Sequence, residues 1–188
     1  MAMPALVPNY TAREIRAFPD HRVRYEVIRG ELFVTPAPGW RHQQAVLEVA
    51  TLLREYLERT GLGKVTVAPF EVELTPDSAV QPDVLVLLAD RESRLTPARL
   101  YGPPSLVVEV VSYSSKRTDR LQKRRLYQAE GVPEYWIVDV EERRVERWRP
   151  GDAEPEVLGV RLDWRPTAAP PALEIDLVQL FERVWREP

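Results

Sequence analysis

Three residues in the middle of this chain have the types and spacing to do chemistry on a phosphate. Asp83 follows a proline in Q-P-D-V-L-V-L-L (Gln81–Leu88). Glu109 interrupts a second apolar run, P-S-L-V-V-E-V-V-S (Pro104–Ser112), and Lys123 lies in the basic stretch S-K-R-T-D-R-L-Q-K-R-R-L-Y (Ser115–Tyr127). Burying an isolated carboxylate is costly even after the protein relaxes. A bound cation offsets that cost and keeps the acid ionised. Two carboxylates on neighbouring strands with a lysine beside them therefore suit a divalent metal held against a phosphate. Singly, each acid has a plainer reading: Asp83 as a loop cap, Glu109 as the partner of an arginine.

The elements that must position these residues follow from the apolar pattern. Uninterrupted Val/Leu runs at Asp83–Leu88 and Leu106–Val111 predict strands buried on both faces, the centre of a helix-covered sheet. Asp119, Lys123 and Tyr127 recur at four-residue steps, so one face of the basic helix (roughly 115–130) carries all three. Lys123 is flanked by Leu126 and Tyr127, which turns it toward the sheet. Arg120, Arg124 and Arg125 are expected on a solvated surface. Tyr135–Val140 is a further strand, turned by Glu141–Arg144 into an antiparallel partner, Val145–Trp148.

Upstream, Thr11 and Glu14 form a capping box for a short helix, and Arg29-Gly30 joins two strands within Arg24–Thr35. Apolar residues from Val46 to Leu57 recur at helical spacing over Arg41–Arg59, and Gly61 stops that helix. Lys64–Leu74 reads as one or two edge strands around Pro69. Ala89–Pro104 reads as a surface excursion. The expected fold is α/β, a central mixed sheet flanked by helices in a single domain over 1–188. Residues 1–10 form an arm, and about 150–188 form a loop-rich tail ending in a helix (Asp176–Arg186).

Composition bounds the partners. At 188 residues, 44% hydrophobic and 29% charged, the chain can bury one substantial core. It has no cysteine, which excludes disulfides, thiolate metal sites and a thiol nucleophile. No apolar run is long enough to span a bilayer and no secretory pattern opens the chain, so a cytoplasmic protein is expected. A net charge of −3 and a pI of about 5.6 argue against coating nucleic acid by bulk charge, but allow a local basic surface beside an acidic metal site.

The order P-D, then E-x-V-S, then D-x-x-x-K-x-x-x-Y, then G-V-P-E-Y-W-I-V-D (Gly131–Asp139) resembles the Uma family of bacterial restriction-endonuclease-like proteins, a branch of the PD-(D/E)XK nuclease superfamily. Y-E-V-I-R-G-E-L (Tyr25–Leu32) and His42 at the head of the long helix extend the likeness, which runs from about Ala17 to Leu180. The resemblance implies a restriction-endonuclease-like fold. It implies Asp83 and Glu109 as metal ligands, joined by the main-chain carbonyl of Val110 or Val111, with Mg2+ or Mn2+ as the ion. The usual lysine two residues after the second acid is missing, because Val111 stands there, and Lys123 is the candidate replacement. Glu31 ranks ahead of Glu26 and Glu48 as a further acid. His42 is assigned to a phosphate contact or to acid/base work, or equally to capping its helix. Lys116 and Arg117 are assigned to substrate.

Two functions compete. One is a metal-dependent endonuclease acting on DNA, expected as a homodimer with one site per strand. The other is an inactive dimeric binding module that retains the fold, consistent with the acidic charge and the missing E-x-K lysine. A glycosidase-like carboxylate pair leaves the lysine unexplained. Trp164 and Leu173 in the tail suit either a dimer contact or packing within the chain. Tyr135 and Trp136 are expected in the core.

Overall fold

Alternation within the two apolar runs sets the architecture. β6 (Val84–Leu88) and β8 (Leu106–Val111) pair antiparallel at the centre of a six-stranded sheet. Beyond β6 lies β3 (Gly63–Val67); beyond β8 lie β9 (Tyr135–Asp139), β10 (Arg144–Trp148) and β11 (Glu156–Leu158). Successive strand residues point to opposite faces, so Val84, Val86, Val108 and Val110 enter one core and Leu85, Leu87, Val107 and Val111 another. The computed structural model describes residues 9–19, 23–35, 37–111 and 117–186. Lys116, most of the N-terminal arm and the start of the expected basic helix lie outside them.

The first core is closed by α2 (Trp40–Thr60), which buries Val46, Val49, Leu53, Tyr56 and Leu57 and ends where Gly61 adopts a positive φ of 68°. It is also closed by the tail, which is less loop-like than its prolines suggested. β12 (Arg161–Trp164) and β13 (Leu173–Asp176) form a hairpin leading into α4 (Leu177–Val184), and Leu162, Trp164, Leu173 and Ile175 are buried. The prolines sit between the strands, where no ladder hydrogen bond is lost. Trp164 packs edge-on against Trp136 with ring centroids 6.1 Å apart. It and Leu173 therefore pack within the chain.

The second core is closed by a second sheet. β1 (Arg24–Ile28), β2 (Glu31–Thr35), β4 (Glu71–Thr75), β5 (Ser78–Val80) and β7 (Arg99–Tyr101) align in the order β2-β1-β5-β4-β7. The stretch around Pro69 thus divides between two sheets, because proline cannot donate to a continuous ladder. The excursion 89–104 supplies a 3-10 helix and β7. α1 (Ala12–Ile15) carries the expected capping box. Arg29 and Gly30, with φ of 50° and 80°, make the β1–β2 turn.

β8 and β9 run parallel, which demands a crossover. A π-helical segment, Thr118–Lys123, continues into α3 (Arg124–Ala129) and makes it over the second core. The architecture is the mixed α/β one expected, with a second sheet in addition. Among the described residues no helix is long and apolar enough to cross a membrane.

Candidate active site

Register brings the two acids together. The last β6–β8 pair is Val84 with Val108, so one step further Asp83 and Glu109 come opposite each other on the face of the second core. Asp83 is 3% exposed and Glu109 2%. Asp83 Oδ2 accepts from the Val110 N–H at 2.9 Å, tying the head of β6 to β8.

Lys123 descends on these acids from the crossover. Its Nζ lies 2.9 Å from Glu109 Oε1, 3.0 Å from Glu26 Oε1 and 3.7 Å from Asp119 Oδ1, and the residue is 3% exposed. Tyr127, four residues on, donates its hydroxyl to the same Glu109 oxygen at 3.0 Å. The four-residue stripe therefore lies on one buried face. π-helical turns recur at functional sites, and this one carries both Asp119 and Lys123.

The second sheet supplies Arg24 and Glu26, two residues apart on β1 and so on one face. Glu26 accepts from the Gln81 N–H at 2.7 Å. Arg24 reaches Asp83 Oδ1 at 3.0 Å and the Gln81 carbonyl at 2.9 Å. His42, in the first turn of α2, places Nε2 at 3.1 Å from Asp83 Oδ2, while its Nδ1 is buried with no partner among the described residues. These groups line a cavity of about 220 Å3 whose rim includes Gly39 and Thr118.

The electrostatics separate the acids. Burial pushes the Asp83 carboxyl up, but the hydrogen bond and charge of His42, with Arg24 and Lys123, outweigh it and hold the carboxyl at about 2. Glu109 goes the other way. Burial raises its proton affinity well above the carboxylate range, Lys123 opposes that, and Asp83, Asp119 and Glu26 add to it. Burial works against the Lys123 cation, yet Glu109, Glu26 and Asp119 more than offset this and drive its pKa up. Lys123 is thus a fixed positive charge, unsuited to act as a base.

A stability prediction follows from Asp83. Its folded pKa is depressed, so its contribution is fully present above the unfolded value of 3.8 and is lost as pH falls through about 2. Metal-free protein is expected to lose about 2 kcal/mol from this group across that window. Urea unfolding of the wild type and Asp83→Asn from pH 5 to 2 checks it. Equal acid sensitivity in the two proteins would contradict the assignment.

The candidate residues do not all converge. Asp83, Glu109, Val110, Lys123 and His42 line the same cavity. Glu31 does not; it is exposed and lines a neighbouring cavity together with Arg117. Glu26 takes the place expected of Glu31, which pairs with Ile28 at the turn end of the hairpin. Glu31 has the right face and the wrong distance, about 7 Å along the strand from Glu26 at ~3.4 Å per residue. Glu48 is remote as well, paired with Arg183 at 3.2 Å. Arg24 was the residue missed, and its signal was the R-Y-E alternation that puts it on the face of Glu26.

Comparison with known proteins bears on the family and the fold. No curated protein matches the sequence. A crystal structure of "a putative nuclease belonging to DUF820" from Anabaena variabilis superposes with a TM-score of 0.75 at 19% identity, over 93% of this chain and 99% of that one, which establishes a shared fold. The profile of Uma2, described as "Putative restriction endonuclease", matches residues 12–179, from the first residue of α1 into α4. The chain belongs to the Uma2 family.

Proposed function

We propose that the protein is a Mg2+- or Mn2+-dependent endonuclease that hydrolyses phosphodiester bonds in DNA, working in the cytoplasm as a homodimer. The observation that carries this reading is the buried Lys123 ammonium, held between Glu109 and Glu26 in the cavity lined by Asp83. Family membership and the description printed for the Anabaena protein point the same way.

The donor chemistry fits a hard cation. Asp83, Glu109, Glu26 and Asp119 offer carboxylate oxygens to one cavity, no cysteine is present, and His42 is the cavity's one imidazole among the described residues. Asp83, Glu109 and the Val110 carbonyl would hold the ion. When bound, such an ion acidifies a water molecule and offsets phosphate charge. The protein's own groups do the rest. Lys123 keeps a positive charge where negative charge develops on phosphorus oxygens. Arg24 and His42, both on Asp83, are placed to bind a phosphate oxygen or, for His42, to carry a proton. Glu26 and Tyr127 fix Lys123 and Glu109.

One observation favours the second reading, a catalytically inactive binding module. Arg24 and Lys123 already engage carboxylate oxygens, and among the described residues no three acidic or imidazole groups form a ready-made cation cage. Plasmid DNA incubated with purified protein and Mn2+, with and without EDTA and beside Asp83→Ala, separates the two. The nuclease reading expects cleavage by the wild type that chelation and Asp83→Ala both abolish. Equal cleavage by wild type and variant sinks it.

A further inference from the structure

β1 runs from the candidate active site to a second cavity. Arg24 and Glu26 line the first, and Ile28, on the same face, lines the second, which measures about 510 Å3. Thr118 belongs to both walls, so the two concavities adjoin. The second is ringed by Arg29 from the β1–β2 turn, Arg117 ahead of the π-helical segment and Arg125 from α3. All three are exposed, and among the described residues none forms an ion pair.

Among the described residues some arginines, such as Arg16, Arg24, Arg99, Arg120 and Arg147, contact a carboxylate, and others, such as Arg13 and Arg165, form no ion pair; what sets Arg29, Arg117 and Arg125 apart is the one concavity they line. Arginines scattered over a helix are ordinarily just solvated. Here two chain segments, the β1–β2 turn and the crossover helix, bring three guanidinium groups to one concavity, on a protein whose net charge is −3. Glu31 lines the same concavity and Asp77 interacts with Arg29, leaving a small local excess of positive charge. Such a focus attracts an extended anion. The span also fits a polymer. From Arg24 to Ile28 is about 14 Å at ~3.4 Å per residue, or roughly four nucleotides at ~3.4 Å of rise per strand.

We propose that the second cavity seats the strand flanking the reactive phosphate, with Arg29, Arg117 and Arg125 contacting phosphates of a DNA strand about four nucleotides from the linkage held at Asp83, Glu109 and Lys123. The inference rests on the nuclease reading and deepens it by assigning the path of the substrate. It includes Arg125, which the sequence placed on a merely solvated face, and Arg29, which the sequence marked only as a turn. The contacts are to the backbone, so they position DNA without reading its sequence.

The test measures binding without metal, which keeps it apart from the cleavage test. A fluorescein-labelled duplex oligonucleotide is titrated in EDTA over a salt series, read by anisotropy. The groove variant carries Arg29→Asn, Arg117→Gln and Arg125→Gln; asparagine tolerates the positive φ of 50° at position 29. A charge-matched control carries Arg13→Gln, Arg54→Gln and Arg165→Gln, all exposed elsewhere. The slope of log K against log salt is expected to fall by about 3 in the groove variant, from three contacts at ~0.9 each, and to stay at the wild-type value in the control. Thermal melting confirms that both variants are folded.

An unchanged slope in the groove variant overturns the proposal. So does equal loss in the control, the absence of salt-dependent binding by the wild type, or equally groove-dependent binding of a polyglutamate peptide. Cleavage that survives Asp83→Ala removes the catalytic reading while leaving the binding result interpretable. A wild-type slope in the groove variant beside Asp83-dependent cleavage removes only this inference.

Discussion

Lys123→Met is expected to lower stability by about 3–5 kcal/mol at neutral pH and to cut cleavage by about 10^2 to 10^3-fold under conditions where the variant stays folded. The side chain is of similar length, so packing changes little; what goes is the charge. Glu109, Glu26 and Asp119 then face one another without their ammonium. The penalty has a signature that a packing defect lacks. It should shrink as pH falls, because Glu109, whose proton affinity burial raises well above the carboxylate range, no longer needs a cation once protonated. Adding Glu26→Gln to Lys123→Met should recover part of the loss, since one of the crowded acids is gone. Urea unfolding of the single and double variants at pH 7 and pH 4 reads both effects. A pH-independent penalty, or no recovery in the double variant, would falsify the charge account.

Glu26→Ala and Glu31→Ala should separate cleanly. Glu26 holds Lys123 at 3.0 Å and the Gln81 N–H at 2.7 Å from within the core. Removing it costs hydrogen bonds to a charged acceptor, worth roughly 1.5–3 kcal/mol. Relief of its repulsion with Glu109 and Asp119 works against that. A net loss of about 1–2 kcal/mol is expected. The effect on cleavage is larger, about 10^2-fold, because Lys123 loses one of the groups that fix its ammonium and a small misplacement is costly. Glu31→Ala, exposed on the outer part of the same hairpin face, should leave stability within about 0.5 kcal/mol and leave the rate at saturating DNA unchanged. Chemical denaturation and plasmid cleavage time courses decide it. Loss of rate in Glu31→Ala with none in Glu26→Ala would restore the ranking that the sequence suggested.

The reversal at Glu26 shows where sequence patterns carry and where they stop. Period and composition were enough for the hairpin, α2, the two central strands and the helix that carries Lys123, since each depends on which residues can be buried. The stripe Asp119, Lys123, Tyr127 was legible for the same reason, and it lies on one buried face. Which acid of the hairpin enters the cavity depends on how far along the strand the second sheet meets the first. That is a tertiary quantity with no local signature. The tail misled in another way: its prolines read as loop, while the alternation Leu162, Trp164 and Leu173, Ile175 that builds a hairpin is only two residues long on each strand. Arg24 was overlooked because a partly exposed arginine is ordinary until its carboxylate is known.

The ion pairs around Asp83 and Lys123 bear on how the protein comes into being. Arg24, His42 and the Val110 N–H satisfy Asp83, and Lys123 with Tyr127 satisfies Glu109. The acids are neutralised from within the chain, so the fold can close before it meets a divalent ion. In small metal domains, by contrast, binding free energy is folding free energy. Were a cation bound, as the proposed function requires, it would enter a polypeptide already assembled, in competition with the Arg24 contact to Asp83.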